Sequence, residues 1–185
     1  MALAALARLT GDAGAFSLAK AASGKPIVLQ GGAPAPYYVS WSHSGAYLAV
    51  AATTAGPIGI DIEIGRPDRD IEGIAEWAFG PREVHRVRQE GPAGFYRIWT
   101  LREAMAKANG TGLIEVADRH DRVAEGPTDG FWCADGWHLL HQAMAPNQHL
   151  ALAVRAPLAT GAVWTRFTAG PDGDPVWSSS APLPR

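Results

Sequence analysis

Residues 58–64 read Ile-Gly-Ile-Asp-Ile-Glu-Ile, and this alternation predicts a β-strand around which the fold is organised. Successive side chains of a strand point to opposite faces, so the isoleucines share one face, and Gly59, Asp61 and Glu63 share the other. The two carboxylates then lie about 7 Å apart along the strand. A solvated strand face is the simpler interpretation of an isolated Asp-x-Glu, and a site for a hard divalent cation is the alternative.

A long helix is predicted over residues 93–109, where two following glycines end it. Trp99, Glu103 and Lys107 recur every four residues, so they lie along one narrow strip of this helix. Glu103 and Lys107 have the spacing of a surface salt bridge, which is one interpretation of the pair. The neighbouring apolar residues draw the helix into the core, and a Glu and a Lys at the edge of a buried face need partners. The other interpretation is therefore that Glu103 binds a metal ion and Lys107 binds a phosphate.

A third polar group, Ser42-His43-Ser44-Gly45, precedes a predicted strand at residues 46–52. Two hydroxyls, an imidazole and a glycine offer several hydrogen-bond donors to a phosphate. A histidine that hydrogen-bonds its own loop is the alternative interpretation. A serine-hydrolase site is excluded because the sequence has Ser-His in direct succession here and no Gly-x-Ser-x-Gly pattern.

Composition limits the classes of protein to which the chain can belong. Of 185 residues, 47% are hydrophobic and 18% are charged, which suits a single domain with a substantial core. The net charge of −2 argues against a partner that is nucleic acid or a membrane surface. Cys133 is the single cysteine, so we expect no disulfide framework and a cytoplasmic location. We also expect no signal peptide, and no apolar run reaches the ~20 residues that span a bilayer.

The rest of the chain is interpreted as short helices and strands. We expect a short helix within residues 1–24, helices at 70–77 and from Pro81 onward, and a return to strands from Ile114 onward; the strands are placed at 25–29, 131–134, 137–143 and 149–156. Tyr47-Leu-Ala-Val-Ala51 and Leu150-Ala-Leu-Ala-Val154 resemble each other, which hints at two similar halves. Residues 169–185 are rich in Gly, Pro, Asp and Ser and are predicted to be a flexible tail.

These motifs together resemble those of the 4′-phosphopantetheinyl transferase superfamily, and their order and spacing are similar to those of its larger, monomeric branch, the one with a surfactin-synthetase type of activator. The resemblance rests on Ser42-His43-Ser44, Gly59-Ile-Asp-Ile-Glu63 and Trp99-x-x-x-Glu103-Ala-x-x-Lys107-x-x-Gly110-x-Gly-Leu113. Two further matches are Gly24-Lys25-Pro26 and Phe79-Gly-Pro-Arg-Glu83. The similarity covers roughly residues 24–156.

The resemblance implies an α+β fold of pseudo-twofold duplicated lobes, each a small antiparallel sheet packed with a long helix. The lobes would cover about residues 1–58 and 59–168 of a single domain at 1–168. The strand at Leu150–Val154 would belong to the second copy of the sheet, and the coenzyme would lie in the cleft between the lobes. A monomer is expected.

The resemblance also implies a reaction. Family members transfer the 4′-phosphopantetheine arm of coenzyme A to a serine of an apo acyl or peptidyl carrier protein and release adenosine 3′,5′-bisphosphate. By position, Asp61, Glu63 and Glu103 would hold Mg²⁺ against the pyrophosphate of coenzyme A. The base that takes the serine proton would be Glu103, Glu63 or a metal-bound water, and these alternatives stay open.

The same resemblance assigns residues to coenzyme binding. Lys107 would bind a phosphate oxygen, and Ser42 with His43 would contact the phosphates from the other side. Lys25, in the Gly-Lys-Pro match, would lie near the adenine and the 3′-phosphate.

Two other hypotheses about the function stay open. One is a non-catalytic homologue that binds coenzyme A or a carrier protein, because residues 1–24 supply only Arg8 and Lys20 where the family's larger branch has several basic residues that clamp the nucleotide. The other is a metal-dependent phosphohydrolase that uses the same carboxylates with water.

Overall fold

Helices and antiparallel sheets make up the fold, which confirms the predicted α+β class. The computed structural model describes residues 1–12, 14, 16–112, 120–145, 147–155, 164–169 and 175–180. The helices are α1 (Ala2–Thr10), α2 (Ile71–Ala78), α3 (Pro81–Glu90) and α4 (Pro92–Asn109). The strands are β1 (Phe16–Lys20), β2 (Pro26–Gln30), β3 (Ala33–Pro34), β4 (Tyr38–Ser44), β5 (Tyr47–Thr53), β6 (Ile58–Ile64), β7 (Gly130–Ala134), β8 (Trp137–Ala145), β9 (Gln148–Val154), β10 (Trp164–Ala169) and β11 (Pro175–Ser180).

The central sheet contains four antiparallel strands in the order β6-β9-β8-β7. Its edge strand β6 has the bounds that the alternating isoleucines predict, and Asp61 lies opposite Ala151 of β9. The isoleucine face is buried against β5, where Ala49 and Ala51 join the same apolar cluster. The opposite face of β6 is therefore the one that carries the carboxylates.

Helix α4 lies directly against that carboxylate face. A Cβ atom at Gly59 would lie 1.8 Å from the carbonyl oxygen of Ala104 and 2.7 Å from the backbone nitrogen of Ala108, so only glycine allows this approach. Residues along nearly the whole of α4 are buried, which confirms that its apolar residues draw it into the core. The close crossing brings Glu103 and Lys107 beside β6. No helix in the described part of the chain is long and apolar enough to cross a membrane.

The N-terminal half is smaller and differs from the predicted pattern in the length of its helix. Helix α1 has nine residues and ends at Gly11, whose φ of 75° is a left-handed conformation that favours glycine. Its buried residues Ala5 and Leu6 pack against apolar side chains of β2, β4 and β5. Helix α1 is therefore half the length of the 18-residue α4, and the strands that precede β6 form two separate sheets, β1-β2-β3 and β4-β5.

Several local predictions are confirmed, and the structure adds one further strand. The Asp70 side chain accepts a hydrogen bond from the Gly73 nitrogen at 3.0 Å and caps α2, and Pro81 begins α3. The Ser42-His43-Ser44 group precedes strand β5, as the sequence predicts, and it also lies inside β4, a strand that the sequence pattern was not used to place. Serine occupies every second position from Ser40 to Ser44, and this period of two is that of a strand.

The C-terminal part contains two paired strands, and one of them, β11, lies within the predicted flexible tail at residues 169–185. Strand β11 pairs antiparallel with β10, and the aromatic, threonine and valine residues of both strands favour extended backbone. The predicted return to strands at Ile114 lies outside the described residues, as does Leu113 of the helix motif. The division of the chain near residues 58 and 168 stays a prediction.

Candidate functional site

Strand β4 lies along the free edge of β6 and contacts it through serine hydroxyls. The Ile60 nitrogen donates to Ser40 Oγ at 3.1 Å, and the Ile64 nitrogen donates to Ser44 Oγ at 3.1 Å. Because β6 is an edge strand, these hydroxyls satisfy N–H groups that a neighbouring strand would otherwise pair. Ser42 lies on the same face of β4, between the other two serines, and therefore also points toward β6.

Asp61 is the centre of the site. Its Oδ1 accepts hydrogen bonds from Ser42 Oγ and from Lys107 Nζ, both at 2.7 Å. Lys107 Nζ also donates to Ser42 Oγ at 2.9 Å and to the Ile60 carbonyl oxygen at 3.3 Å. The other oxygen, Asp61 Oδ2, is buried and has no hydrogen-bond partner among the described residues. A buried carboxylate oxygen without a partner is costly, so this atom marks a place for a ligand.

The pKa values of the carboxyl groups at the site reflect burial and the presence of several negative charges close together. Burial raises the pKa of Asp61, while Lys107 lowers it and Glu63 raises it. Burial also raises the pKa of Glu103, and the charges of Asp61 and Glu63 act in the same direction, opposed by Lys107 and Arg69. Carboxylates from β6 and α4 therefore share one electrostatic environment in which added positive charge is stabilising.

Glu63 is held by a second cation. Its Oε2 accepts from Ser44 Oγ at 3.2 Å, and its Oε1 lies 3.8 Å from Arg69 Nη1. The Arg69 guanidinium carbon lies 4.8 Å from the ring centroid of Trp99 and also lies over the rings of Phe95 and Tyr96, at 5.3 and 5.7 Å. We did not predict Arg69 from the sequence.

The carboxylate oxygens are ligand atoms of the type that a divalent cation prefers, but these side chains are not positioned as a preformed metal site. Oxygen ligands are those that Mg²⁺ prefers, and Asp61 Oδ2 is not engaged by a donor from the described residues. Among the described residues, no group of three or more His, Cys, Asp and Glu side chains is close enough to hold a metal ion. Asp61 and Glu63 are instead held by separate cations, Lys107 and Arg69.

The remaining predicted site residues lie around this centre. His43 is exposed on the face of β4 opposite Ser42, so it points away from Asp61. The Lys25 ammonium donates to the carbonyl oxygen of Ala108, at the C-terminal end of α4, and burial lowers its pKa. The structure thus brings together Asp61, Glu63, Glu103, Lys107 and Ser42, and it places Lys25 near the same helix end and His43 on the outer face.

A buried ion pair holds α4 in place behind the site. Arg102 Nη1 lies 2.8 Å from Glu83 Oε2, and both side chains are at most 1% exposed. Arg102 also donates to the Ala78 carbonyl oxygen at 3.0 Å, and Glu83 Oε1 accepts from the backbone nitrogens of Arg122 and Val123. These bonds join α2, α3 and α4, which sets the rotation of α4 and hence the direction in which Glu103 and Lys107 point.

A buried histidine pair supports the other end of the site. His141 Nε2 lies 3.2 Å from His149 Nδ1, and the His149 ring stacks on Tyr96 with centroids 5.5 Å apart. Burial, helped by the nearby His141, lowers the pKa of His149 to about 4, so the pair is neutral at pH 7. The Tyr96 hydroxyl accepts from the Arg66 nitrogen at 2.8 Å, which ties the loop before α2 to α4.

Several known proteins are similar to this chain in sequence. A family model described as the 4′-phosphopantetheinyl transferase superfamily matches residues 57–154, which include β6, α4 and the rest of the central sheet. The 4′-phosphopantetheinyl transferase HetI of Nostoc sp. is 33% identical over 137 residues, which are 71% of this chain and 57% of that protein.

Two further relatives have the same description. The 4′-phosphopantetheinyl transferase AcpT of Salmonella typhi is 35% identical over 115 residues, or 56% of this chain and 60% of the relative. A 4′-phosphopantetheinyl transferase of Bacillus subtilis is 37% identical over 76 residues, or 39% of this chain and 33% of the relative. The chain spans about half the length of the curated relatives that it matches.

Proposed function

Because the chain belongs to the 4′-phosphopantetheinyl transferase superfamily, we propose that it transfers the 4′-phosphopantetheine arm of coenzyme A to a serine of an apo acyl or peptidyl carrier protein. The observation that carries the proposal is the buried Asp61, paired with Ser42 and Lys107 through one oxygen and unpartnered at the other. Glu63 and Glu103 share its electrostatic environment.

Asp61, Glu63 and Glu103 would hold Mg²⁺ in this proposal. Their oxygen atoms suit this cation, and the raised pKa values of Asp61 and Glu103 reflect negative charge that a cation would stabilise. When bound, the cation would neutralise charge on the diphosphate of coenzyme A during transfer.

Lys107 and Ser42 would bind a phosphate oxygen. The Lys107 ammonium donates to Asp61 and to the Ile60 carbonyl oxygen, and its side chain is 30% exposed, so it is accessible to a ligand. The carrier serine oxygen forms a bond to the β-phosphorus as the bond from that phosphorus to the bridging oxygen breaks, and adenosine 3′,5′-bisphosphate leaves. Glu103 or Glu63 takes the serine proton.

Lys25 and His43 would contact more distant parts of coenzyme A. The Lys25 ammonium contacts the C-terminal end of α4, and Lys107 lies in the last turn of the same helix. This proximity supports a role for Lys25 near the nucleotide. His43 would reach the phosphates only from the outer face of β4. We further propose a cytoplasmic monomer that binds neither nucleic acid nor membranes, which the net charge of −2 and the single cysteine support.

The test is to incubate the protein with coenzyme A, Mg²⁺ and a panel of apo carrier proteins and to look for the mass increment of phosphopantetheine. Asp61→Ala should abolish the increment, whereas Asp68→Ala, which changes an exposed carboxylate in the following loop, should leave it unchanged. Coenzyme A binding without an increment on any carrier would favour the non-catalytic homologue. Cleavage of coenzyme A without a carrier would favour the phosphohydrolase.

A further inference from the structure

Arg69 is a rigidly held cation at the edge of the carboxylate site. Its side chain is 13% exposed and packs over the rings of Phe95, Tyr96 and Trp99. The loop that carries it is tied down at its start, because the Gly65 nitrogen donates to the Asn147 carbonyl oxygen at 2.6 Å. A planar guanidinium stacked on aromatic rings in this way has little freedom to swing out of the site.

The charges of the site are balanced by two internal cations. Lys107 pairs with Asp61 at 2.7 Å, and Arg69 lies 3.8 Å from Glu63, while the charge of Arg69 also reaches Glu103. With all five groups ionised, the site has one net negative charge. A divalent cation alone would change this to one net positive charge, close to a guanidinium that its aromatic stack holds at the site.

A diphosphate diester brings two negative charges and would restore the original balance. We propose that Arg69 makes the binding of a divalent cation at this site depend on the diphosphate-bearing co-substrate. The inference rests on the proposed function, since it assumes that the cation and coenzyme A occupy the same site. Arg69 is therefore a positioning residue, which acts through Glu63 and through the charge balance of the site.

Lys107 is less suited to this role. Its side chain is 30% exposed and is held, among the described residues, by hydrogen bonds and an ion pair, so its flexible ammonium can turn toward a phosphate oxygen. Arg69 keeps its place because stacking, in addition to its carboxylate partner, holds it. The fixed positive charge would then oppose a cation that arrives without an anionic ligand, and it would favour the two together.

The experiment measures Mg²⁺ affinity by calorimetry, in the absence and in the presence of saturating coenzyme A, for the unmodified protein and three variants. Arg69→Met removes the guanidinium but keeps an apolar side chain for the aromatic rings. Arg69→Lys keeps the charge and loses the planar stack. Arg66→Met removes an exposed arginine from the same loop and is the matched control.

In the unmodified protein, coenzyme A should increase the Mg²⁺ affinity about tenfold or more, a typical size for coupling between two ligands. Arg69→Met should bind Mg²⁺ more tightly without coenzyme A, and the enhancement by coenzyme A should fall about tenfold. Arg69→Lys should be intermediate, and Arg66→Met should match the unmodified protein. Reciprocity requires the same changes in the effect of Mg²⁺ on coenzyme A affinity.

Unchanged coupling in a folded Arg69→Met protein would overturn the inference while leaving the proposed function intact, and so would an equal loss of coupling in Arg66→Met. Thermal unfolding checks that each variant is folded. If Arg69→Met is unfolded, Arg69→Lys decides, because full coupling in that variant contradicts a role for the rigid stack. An unmodified protein that binds no coenzyme A would contradict the proposed function itself.

Discussion

Lys107 Nζ lies 2.7 Å from Asp61 Oδ1, although the two residues are 46 positions apart in the sequence and belong to different elements. The lysine therefore pairs with a carboxylate of the strand, whereas the sequence pattern also allows a helical salt bridge to Glu103. The pair joins α4 to β6 at the point where Ser42 of β4 meets both, so three elements converge on one buried carboxylate.

Replacing Lys107 should destabilise the protein by leaving the Asp61 carboxylate buried without its cation. For Lys107→Met we expect a loss of about 2 kcal/mol in the free energy of unfolding, measured with urea at pH 7. The double variant Asp61→Asn with Lys107→Met should lose less than the single variant. Lys20→Met, which removes an exposed lysine, is the control, and equal losses in it and Lys107→Met would contradict the importance of the pair.

Gly59→Ala should push α4 away from β6. The new Cβ atom would meet the Ala104 carbonyl oxygen at 1.8 Å, so backbone has to shift, and we expect a loss of about 3 kcal/mol in stability. Gly14→Ala is the control because nothing lies within 4 Å of its Cβ position. A melting temperature for Gly59→Ala equal to that of the control would show that the two elements are not so closely packed.

Ser40→Ala should weaken the contact between β4 and β6. Its hydroxyl accepts from the buried Ile60 nitrogen, and removing it leaves that N–H without a partner at a cost of about 1–3 kcal/mol. Hydrogen exchange followed by NMR should show faster exchange at the Ile60 amide. Ser17→Ala, on the exposed face of β1, should leave the exchange rate at Ile60 as it is. Unchanged protection at Ile60 in Ser40→Ala would mean that another group satisfies this amide.

Stability should fall as the pH decreases from about 6.5 toward 4. An unfolded histidine takes up a proton near pH 6.5, whereas the pKa of folded His149 is about 4, so the unfolded state binds more protons in this range. The raised pKa values of Asp61 and Glu103 act in the opposite sense. The contribution of His149 to the pH dependence of stability is therefore obtained by comparison with a variant that lacks this histidine.

His149→Phe keeps a ring against Tyr96 and removes the titrating group. Urea unfolding at several pH values between 4.5 and 7 should give a smaller loss of stability with acid for this variant than for the unmodified protein. His85→Gln, which changes an exposed histidine, should retain the original slope. Identical slopes for all three proteins would mean that His149 is not held neutral by burial.

The sequence by itself predicted the elements whose periodicity is local. The alternating isoleucines gave the bounds of β6, and the apolar face of residues 93–109 gave α4 to within one residue at its start. The family resemblance also predicted the candidate site residues Asp61, Glu63 and Glu103. The strand face and the helix strip on which these residues lie could be predicted because they follow from local backbone geometry alone.

Only the tertiary structure decided which side chains meet. The pairing of Asp61 with Lys107, the stacking of Arg69 on the aromatic residues of α4, and the orientation of His43 away from Asp61 all depend on how β4, β6 and α4 cross. Such contacts join residues far apart in the chain, and no local period encodes them. Their physical cause is close packing: Gly59 allows α4 to touch β6, and burial then favours the pairing of Asp61 with Lys107 and of Glu63 with Arg69.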